Sequence, residues 1–410
     1  MSSIRPFRAY RPLQSIAGKV ASVPYDVVNT AEAAELAAGN AYSFLHVARP
    51  EIDLPAGTGL YDDAVYEKGA ANLKRIISGP EFMHEDRPCM YLYRQVMGGR
   101  AQTGLVCLCP VKEYENGLIK KHEHTRRDKE DDRVRHVTAQ NANAEPVFLT
   151  YRACPAIDSI VAGICAGAPV ADIVSPDGIG HTVWLVKEEG DILALEKEFS
   201  AVPALYVADG HHRTAAACRY GAARRAGGGT DPDASYEWFM AVVFPHDQLM
   251  IMDYNRLVKD LNGLDEAGFL KAVGEKFEVA PSESPRPDGP TRFGMYVGGR
   301  WYSLSARAGT FPAGDPIKGL DVSILQDNLL FPILGIADPR TDKRIDFVGG
   351  IRGTGELERR VRDGWAVAFS MFPTSLVQLM AVADAGEVMP PKSTWFEPKL
   401  RSGLVVRVYE

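Results

Sequence analysis

Apolar residues along this chain alternate between two spacings. Near-continuous β-branched and aromatic runs over 90–97 and 100–109 read as strands, and only Gly98-Gly99 separates them. A two-residue glycine turn is a strong hairpin signal, because both central positions take positive φ. Residues 291–297 and 300–304 repeat the pattern around Gly298-Gly299. Residues 236–244 and 365–372 read as further buried strands, and 43–47 as a short strand-like stretch in which His46 is a satisfied, partly buried residue. Apolar positions three and four apart predict helices over 30–38, 60–77, 255–261, 264–277 and 322–334. Ser375-Leu-Val-Gln378 has the form of a capping box, which starts one more helix ending near Gly386. Loops are expected over 227–232 and 281–290. Strands and helices follow one another without a repeat, which predicts an α+β (mixed α/β) fold. A boundary near residue 250 is expected, separating a core over 1–250 from an α+β region over 251–410.

Length and charge narrow the function. At 410 residues the chain is expected to form one or two large domains. With 46% hydrophobic and 24% charged residues it has the composition of an ordinary globular protein. A net charge of −7 argues against a protein whose main task is coating nucleic acid, while leaving room for a local basic pocket. No run approaches the ~18 apolar residues of a membrane span, and the opening residues carry no apolar leader core. The expected location is the cytoplasm. Six cysteines are scattered without a CxxC pair, so a zinc ribbon or thioredoxin-like motif is not supported. Cys107 and Cys109, alternating within a strand, are expected to pack as small hydrophobes.

The most informative stretch is Asp209-Gly210-His211-His212-Arg213, where an apolar run breaks and an Ala-rich helix begins. A strand-to-helix break gathers free N–H groups and the positive helix end at one point. Gly210 allows close approach of a ligand, and His211, His212 and Arg213 add donors and positive charge. The pattern reads as a phosphate-binding turn with Asp209 beside it for a proton or a metal; an Asp capping a helix with solvated histidines is the plainer alternative.

Two other clusters and the N-terminal region add candidates. Residues 120–133 bring His122, Glu123, His124, Thr125, Arg126 and Arg127 together. There Glu123 is a candidate general base or magnesium ligand, and His122, Arg126 and Arg127 are candidate holders of phosphate oxygens. A solvated helix face would carry a similar charge run. His122 and His124 flank Glu123 in the manner of a metal arm, with no third ligand fixed by spacing. Lys392-Ser393-Thr394 resembles the end of a phosphate loop without the Walker A frame, and Lys392 is a candidate anion ligand. The alternative is that Trp395 and Phe396 simply pack this segment on a core. Asp26, after the turn at Pro24-Tyr25, is a candidate acid or base, with Arg5, Arg8 and Arg11 upstream on what can be one extended face.

Taken together, four segments resemble the bacterial and archaeal family called domain of unknown function 1015. They are Arg5-Pro-Phe with Pro24-Tyr-Asp-Val27, His122-Glu-His-Thr125 through Asp132-Arg133, Asp209-Gly-His-His-Arg213, and Met389-Pro-Pro-Lys-Ser-Thr394 through Pro398-Lys399. The resemblance runs over essentially the whole chain. The Asp209–Arg213 turn also resembles the nucleotide-handling turn of the ParB/sulfiredoxin superfamily, which includes free-serine kinases. The resemblance implies a ParB/sulfiredoxin-like core with added hairpins and a second α+β region whose Lys392 loop can return to the site. It implies a phosphate site at Gly210, His211, His212 and Arg213, joined by Lys392, Ser393 and Thr394. His122, Thr125 and Arg126 would face the acceptor, Asp209, Glu123 or Asp26 would act catalytically, and Asp209 and Glu123 would hold Mg²⁺. The expected cofactors are ATP or ADP with Mg²⁺. The expected partners are a nucleotide and a small hydroxyl-bearing metabolite, without nucleic acid or membrane, and a homodimer is left open. Sulfiredoxin chemistry is not expected, since Ala208 precedes the turn and Cys218 lies within the helix. Chromosome partitioning is disfavoured by the absence of a basic recognition helix. A small-molecule kinase acting on free L-serine is the leading expectation. A nucleotide-dependent switch and, further behind, a nuclease are the alternatives.

Overall fold

The glycine turn at Gly98-Gly99, with φ of 58° and 80°, closes the hairpin around which the first half of the protein is built. The computed structural model describes residues 2–229 and 231–410; of the loop expected over 227–232, Thr230 lies outside the described residues. The chain divides into two units, one formed by Met1–Leu249 with Pro398–Glu410 and the other by Met250–Glu397.

In the first unit, Met90–Met97 (β1) and Arg100–Pro110 (β2) are joined by Ile119–Lys120 (β3), Val147–Tyr151 (β4), Ala171–Val174 (β5), Gly180–Val186 (β6), Leu205–Asp209 (β7) and Trp238–Pro245 (β8). They form an eight-stranded sheet in the order β3-β7-β4-β8-β2-β1-β6-β5. The β3–β7 and β4–β8 pairs are parallel and the rest antiparallel. Alternation along β2 sends Leu105, Cys107 and Cys109 into one core with Leu92, Leu149, Val207, Phe239 and Val243. The two cysteines are fully buried there, so they do pack as hydrophobes.

Three helices of this unit pack in series, Asp63–Ile77 (α1) on Arg127–Gln140 (α2) and α2 on His211–Ala226 (α3). Polar side chains tie them together. Arg219 of α3 reaches Glu130 and Asp131 of α2 at 3.1 and 2.5 Å, and the Tyr66 hydroxyl of α1 donates to Asp132 at 2.9 Å. The charged run over 120–133 is therefore partly interior: Asp132, Arg133 and His136 are buried. Among the described residues, no helix is long and apolar enough to cross a membrane.

The second unit holds a six-stranded sheet made of Tyr254–Val258 (β9), Phe277–Pro281 (β10), Arg292–Val297 (β11), Arg300–Ala306 (β12), Ile345–Gly349 (β13) and Val367–Met371 (β14). Its order is β10-β12-β11-β14-β9-β13, with the Gly298-Gly299 hairpin at β11–β12. Glu266–Lys276 (α4) is capped by the Asp265 carboxylate, which accepts from the Gly268 amide at 2.7 Å. Leu376–Asp384 (α5) starts with the expected capping box between Ser375 and Gln378. The protein is thus a mixed α+β fold.

Three local expectations are corrected. Residues 255–261 are not a helix: Tyr254–Val258 is an inner strand with ladder partners on both sides. The apolar Leu257, Val258 and Leu261 fit a helical period, but two flanking strands override that preference. Residues 43–47 are not strand-like, because Leu45–Ala48 forms a short helix. The helix expected over 322–334 is an α-helical turn at Asp321–Leu325 followed by a π-helix at Gln326–Leu330. Of the arginines upstream of Asp26, Arg8 and Arg11 both reach Glu85, Arg8 through its backbone carbonyl at 3.1 Å. Arg11 is buried against Glu85 at 2.6 Å, whereas Arg5 pairs at the surface with Asp233.

Candidate functional site

Strand β7 ends at Asp209, and the chain turns through Gly210 at φ 83° before α3 begins. That conformation is nearly free for glycine and costs other residues roughly 1–2 kcal/mol. No side chain caps this helix start, so the amides of His211, His212 and Arg213 face outward along a helix 16 residues long. The Arg213 guanidinium lies against the turn: a methyl group on Gly210 would stand 3.0 Å from its Nε and 3.2 Å from its Nη2. Its Nη1 donates to the Pro146 carbonyl at 2.7 Å, which fixes the side chain in that position. An uncapped helix N-terminus with a held guanidinium presents donors and positive charge of the kind that attract an anion.

Carboxylates surround this positive centre. Asp209 is bound on both oxygens, by the Gly210 amide and by Lys399 Nζ, each at 2.8 Å. Burial pushes its pKa up, but Lys399 and Arg213 outweigh burial and hold the carboxyl well below its usual range. Burial likewise opposes the Arg213 charge, and Asp26, Glu145 and Asp209 more than restore it. Tyr25 orders the second layer. Its amide donates to Glu145 at 3.3 Å, and Arg133 stacks 3.8 Å over its ring while approaching Glu145 at 3.6 Å. Behind the turn lies a cavity of about 40 Å³ lined by Arg133, Glu145, Asn143 and Arg213 among others. That is room for a water or two. A larger ligand would have to sit on the open face of the turn.

The segment after β3 meets this turn from the other side. His122 is buried, and its Nε2 lies 3.4 Å from Nε2 of His211, with the rings edge to face. Burial lowers the pKa of His122 to about 4 and that of His211 well below its ordinary value, which favours the neutral form of both rings. Glu123 is exposed on the same loop. His212 is half-buried; burial lowers its pKa, and the charges of Asp26 and Glu130 pull it back in part. Thr125 donates its hydroxyl to Glu130, while Arg126 is exposed and pairs with Asp128 at 2.8 Å. Asp26, Glu123, His122, Asp209, Gly210, His211, His212 and Arg213 therefore all belong to the first unit, as does Lys399. Lys392, Ser393 and Thr394 belong to the second unit, within which Lys392 is exposed near the Tyr254 ring and Ser393 bonds to the Pro390 carbonyl at 2.5 Å.

The family model described as "Protein of unknown function (DUF1015)" matches residues 4–323, which include the whole of this turn and its carboxylate surround. The chain belongs to the DUF1015 family. No curated protein matches the DUF1015 chain. Several solved structures are similar at low level. A free serine kinase variant in complex with AMP is 12% identical, with a TM-score of 0.38 over 74% of this chain and 92% of that one. A conserved hypothetical protein from Pyrococcus furiosus is 14% identical, with a TM-score of 0.35 over 74% and 95%. SbnI with C-terminal truncation from Staphylococcus aureus is also 14% identical, with a TM-score of 0.35 over 74% and 87%.

Sequence reasoning did not single out four residues that surround this candidate site. Tyr25, Arg133 and Lys399 lie within motif segments but carry no spacing signal of their own. Glu145 stands in an unremarkable loop before β4. Its only sign is an acid set between small residues and a proline, ahead of a fully buried strand.

Proposed function

We propose that this protein is a small-molecule kinase that transfers a phosphoryl group from ATP or ADP to a hydroxyl acceptor, with free L-serine the favoured acceptor. The observation that carries the reading is the uncapped start of α3 behind a positive-φ glycine, with Arg213 held against it. The amides after Gly210, with His212 and Arg213, bind the nucleotide phosphates. Charge developing on the transferred group and on the leaving phosphate is stabilised by this fixed set of donors.

Asp26 is the preferred base. It is exposed and acts electrostatically on both His212 and Arg213, whereas Asp209 is tied to Lys399 and is a weak base. The acceptor Oγ–H gives its proton to the carboxylate as the oxygen attacks the terminal phosphorus. The P–O bond to the nucleotide breaks, and ADP or AMP leaves. Glu123 would hold Mg²⁺, with Asp209 joining it by giving up its bond to Lys399, and the ion would neutralise phosphate charge when bound. His122, Thr125 and Arg126 would face the acceptor, and Lys392, Ser393 and Thr394 would add phosphate contacts if their loop closes on the turn.

The test is a phosphorus NMR time course with Mg²⁺, ATP or ADP, and a pool of serine and other small alcohols. A new phosphomonoester signal, reduced about 100-fold in His212→Ala as loss of one oriented donor predicts, establishes the kinase. Nucleotide consumed to inorganic phosphate without that signal supports a hydrolytic switch instead. Neither change removes both readings and leaves an anion site.

A further inference from the structure

His122 and His211 stand 89 positions apart in sequence, yet their Nε2 atoms face each other at 3.4 Å. The ring centroids are 4.5 Å apart and the planes 84° to one another. Neither Nδ1 has a hydrogen-bond partner, although both are buried. The His211 ring is thus not anchored through Nδ1 as structural histidines ordinarily are, while the Val207 backbone interacts with the His122 ring. The Glu123 carboxylate joins them, the three ligand atoms all lying within 4.8 Å of one another. We infer that His122, His211 and Glu123 form a binding site for a divalent transition-metal ion of the zinc class.

Distance separates this reading from a plain contact between imidazoles. Ordinary N–H hydrogen bonds in proteins span ~2.7–3.2 Å, so 3.4 Å is long for one. Two nitrogens held ~2.0–2.1 Å from a tetrahedral ion stand ~3.3–3.4 Å apart. Ligand chemistry agrees. Imidazole nitrogen suits zinc, cobalt or nickel, whereas magnesium and calcium take oxygen. A ligand must offer a lone pair, which neutral imidazole and an ionised carboxylate both supply. The negative charge of Asp209 acts on both rings and would offset part of the cation's charge. Two histidines and one carboxylate leave a fourth position for water or a ligand oxygen, the pattern of open rather than purely structural sites. Glu123 lies on the exposed side of the set, where its carboxylate already stands within 4.8 Å of both rings' ligand atoms. The site draws on His122, His211 and Glu123, which the kinase reading also uses, but its formation requires no nucleotide.

The test is a titration of metal-stripped full-length protein with Co²⁺ in the absence of nucleotide, followed by displacement with Zn²⁺. One equivalent should give the visible bands of tetrahedral Co²⁺, Zn²⁺ should abolish them, and a large excess of Mg²⁺ should not. His122→Ala and His211→Ala should each weaken binding beyond the ~10–100-fold that loss of an outer ligand partner costs. Far-UV circular dichroism reports whether these variants fold, and His122→Gln and His211→Asn replace them if they do not. Glu123→Gln is an exposed change that spares the fold and should weaken binding at least ~10-fold. No tetrahedral bands with the wild type, or equal binding by the folded histidine variants, overturns the site. Unchanged affinity in Glu123→Gln overturns the three-ligand assignment. Because phosphoryl transfer is not measured, failure here leaves the kinase reading untouched, and the reverse also holds.

Discussion

Gly210 and the neighbouring histidines show how much chemistry a few positions concentrate. At Gly210 the φ of 83° and the packed Arg213 act together, so Gly210→Ala adds backbone strain and crowds a guanidinium already fixed on Pro146. The expected loss is about 1–2 kcal/mol of stability, read by denaturant unfolding, with weaker nucleotide binding. Unchanged stability and affinity would mean that neither strain nor Arg213 position matters. His122 sets a pH dependence. Its pKa falls from 6.5 to about 4 on folding, so above pH 6.5 neither state is protonated and the residue is neutral to the balance. Between pH 6.5 and 4 the unfolded chain takes up a proton that the fold refuses. Stability is therefore lost as pH falls through that window, by on the order of 3 kcal/mol at its acid end. His211 is depressed in the same direction and adds to this limb, so His122→Gln should reduce it rather than remove it, and an unchanged acid profile would exclude a contribution from His122. At this scale the strand-to-helix break at Asp209–Arg213 was legible, because an apolar run ends at Asp-Gly and an Ala-rich helix follows. The His122–His211 contact was not, since no local spacing encodes a meeting of residues so far apart.

Elements were legible where a local device forces one geometry. Both glycine turns close hairpins, and the Ser375–Gln378 box opens α5, with Ser375 Oγ accepting from the Gln378 amide at 3.1 Å. Ser375→Ala should cost about 1 kcal/mol in chemical denaturation, confined to the unfolding of Met250–Glu397 if that unit melts separately. No measurable change would show that water replaces the cap. Periodicity failed where the environment chose. In β9 the sequence Asn-Arg-Leu-Val is equally compatible with a helix, and Arg256 at its centre argues against burial in either. Instead β13 and β14 supply ladders on both sides, while the Arg256 side chain donates to the carbonyl oxygens of Tyr254 and Lys392. The run Phe44-Leu45-His46-Val47 defeats a periodic reading for the opposite reason. It is too short to show a period, and its helical turn depends on burying Phe44, Leu45 and Val47 while His46 bonds to Asp53 at 2.9 Å.

Across the whole chain, the last residues decide how the Asp209–Arg213 turn is held. Pro398–Glu410 belongs with Met1–Leu249, and it carries Lys399 to Asp209 across 190 positions. Arg401 meets His181 at 3.3 Å and Arg407 meets Asn143 at 2.9 Å, so the return is fixed by several buried contacts rather than one. A boundary drawn once along the sequence, near 250, has no way to express a chain that leaves a unit and comes back. The Asp209–Lys399 pair is partly buried, so each group alone would keep a charge that its surroundings solvate poorly. Asp209→Asn, Lys399→Met and the double variant then form a cycle whose coupling should be about 1–3 kcal/mol at neutral pH. The sign with pH follows from Asp209. Its folded pKa lies below the unfolded value of 3.8, so the stabilisation is complete above that value and is lost as pH falls toward the folded pKa. The coupling measured by urea unfolding should therefore hold from pH 7 to pH 5 and shrink below pH 4. A coupling under about 0.5 kcal/mol at pH 7 would mean that Lys399 orients Asp209 without stabilising the fold. In that event Lys399→Met should still raise the Asp209 pKa, a change that carbon NMR of the carboxyl group would register directly.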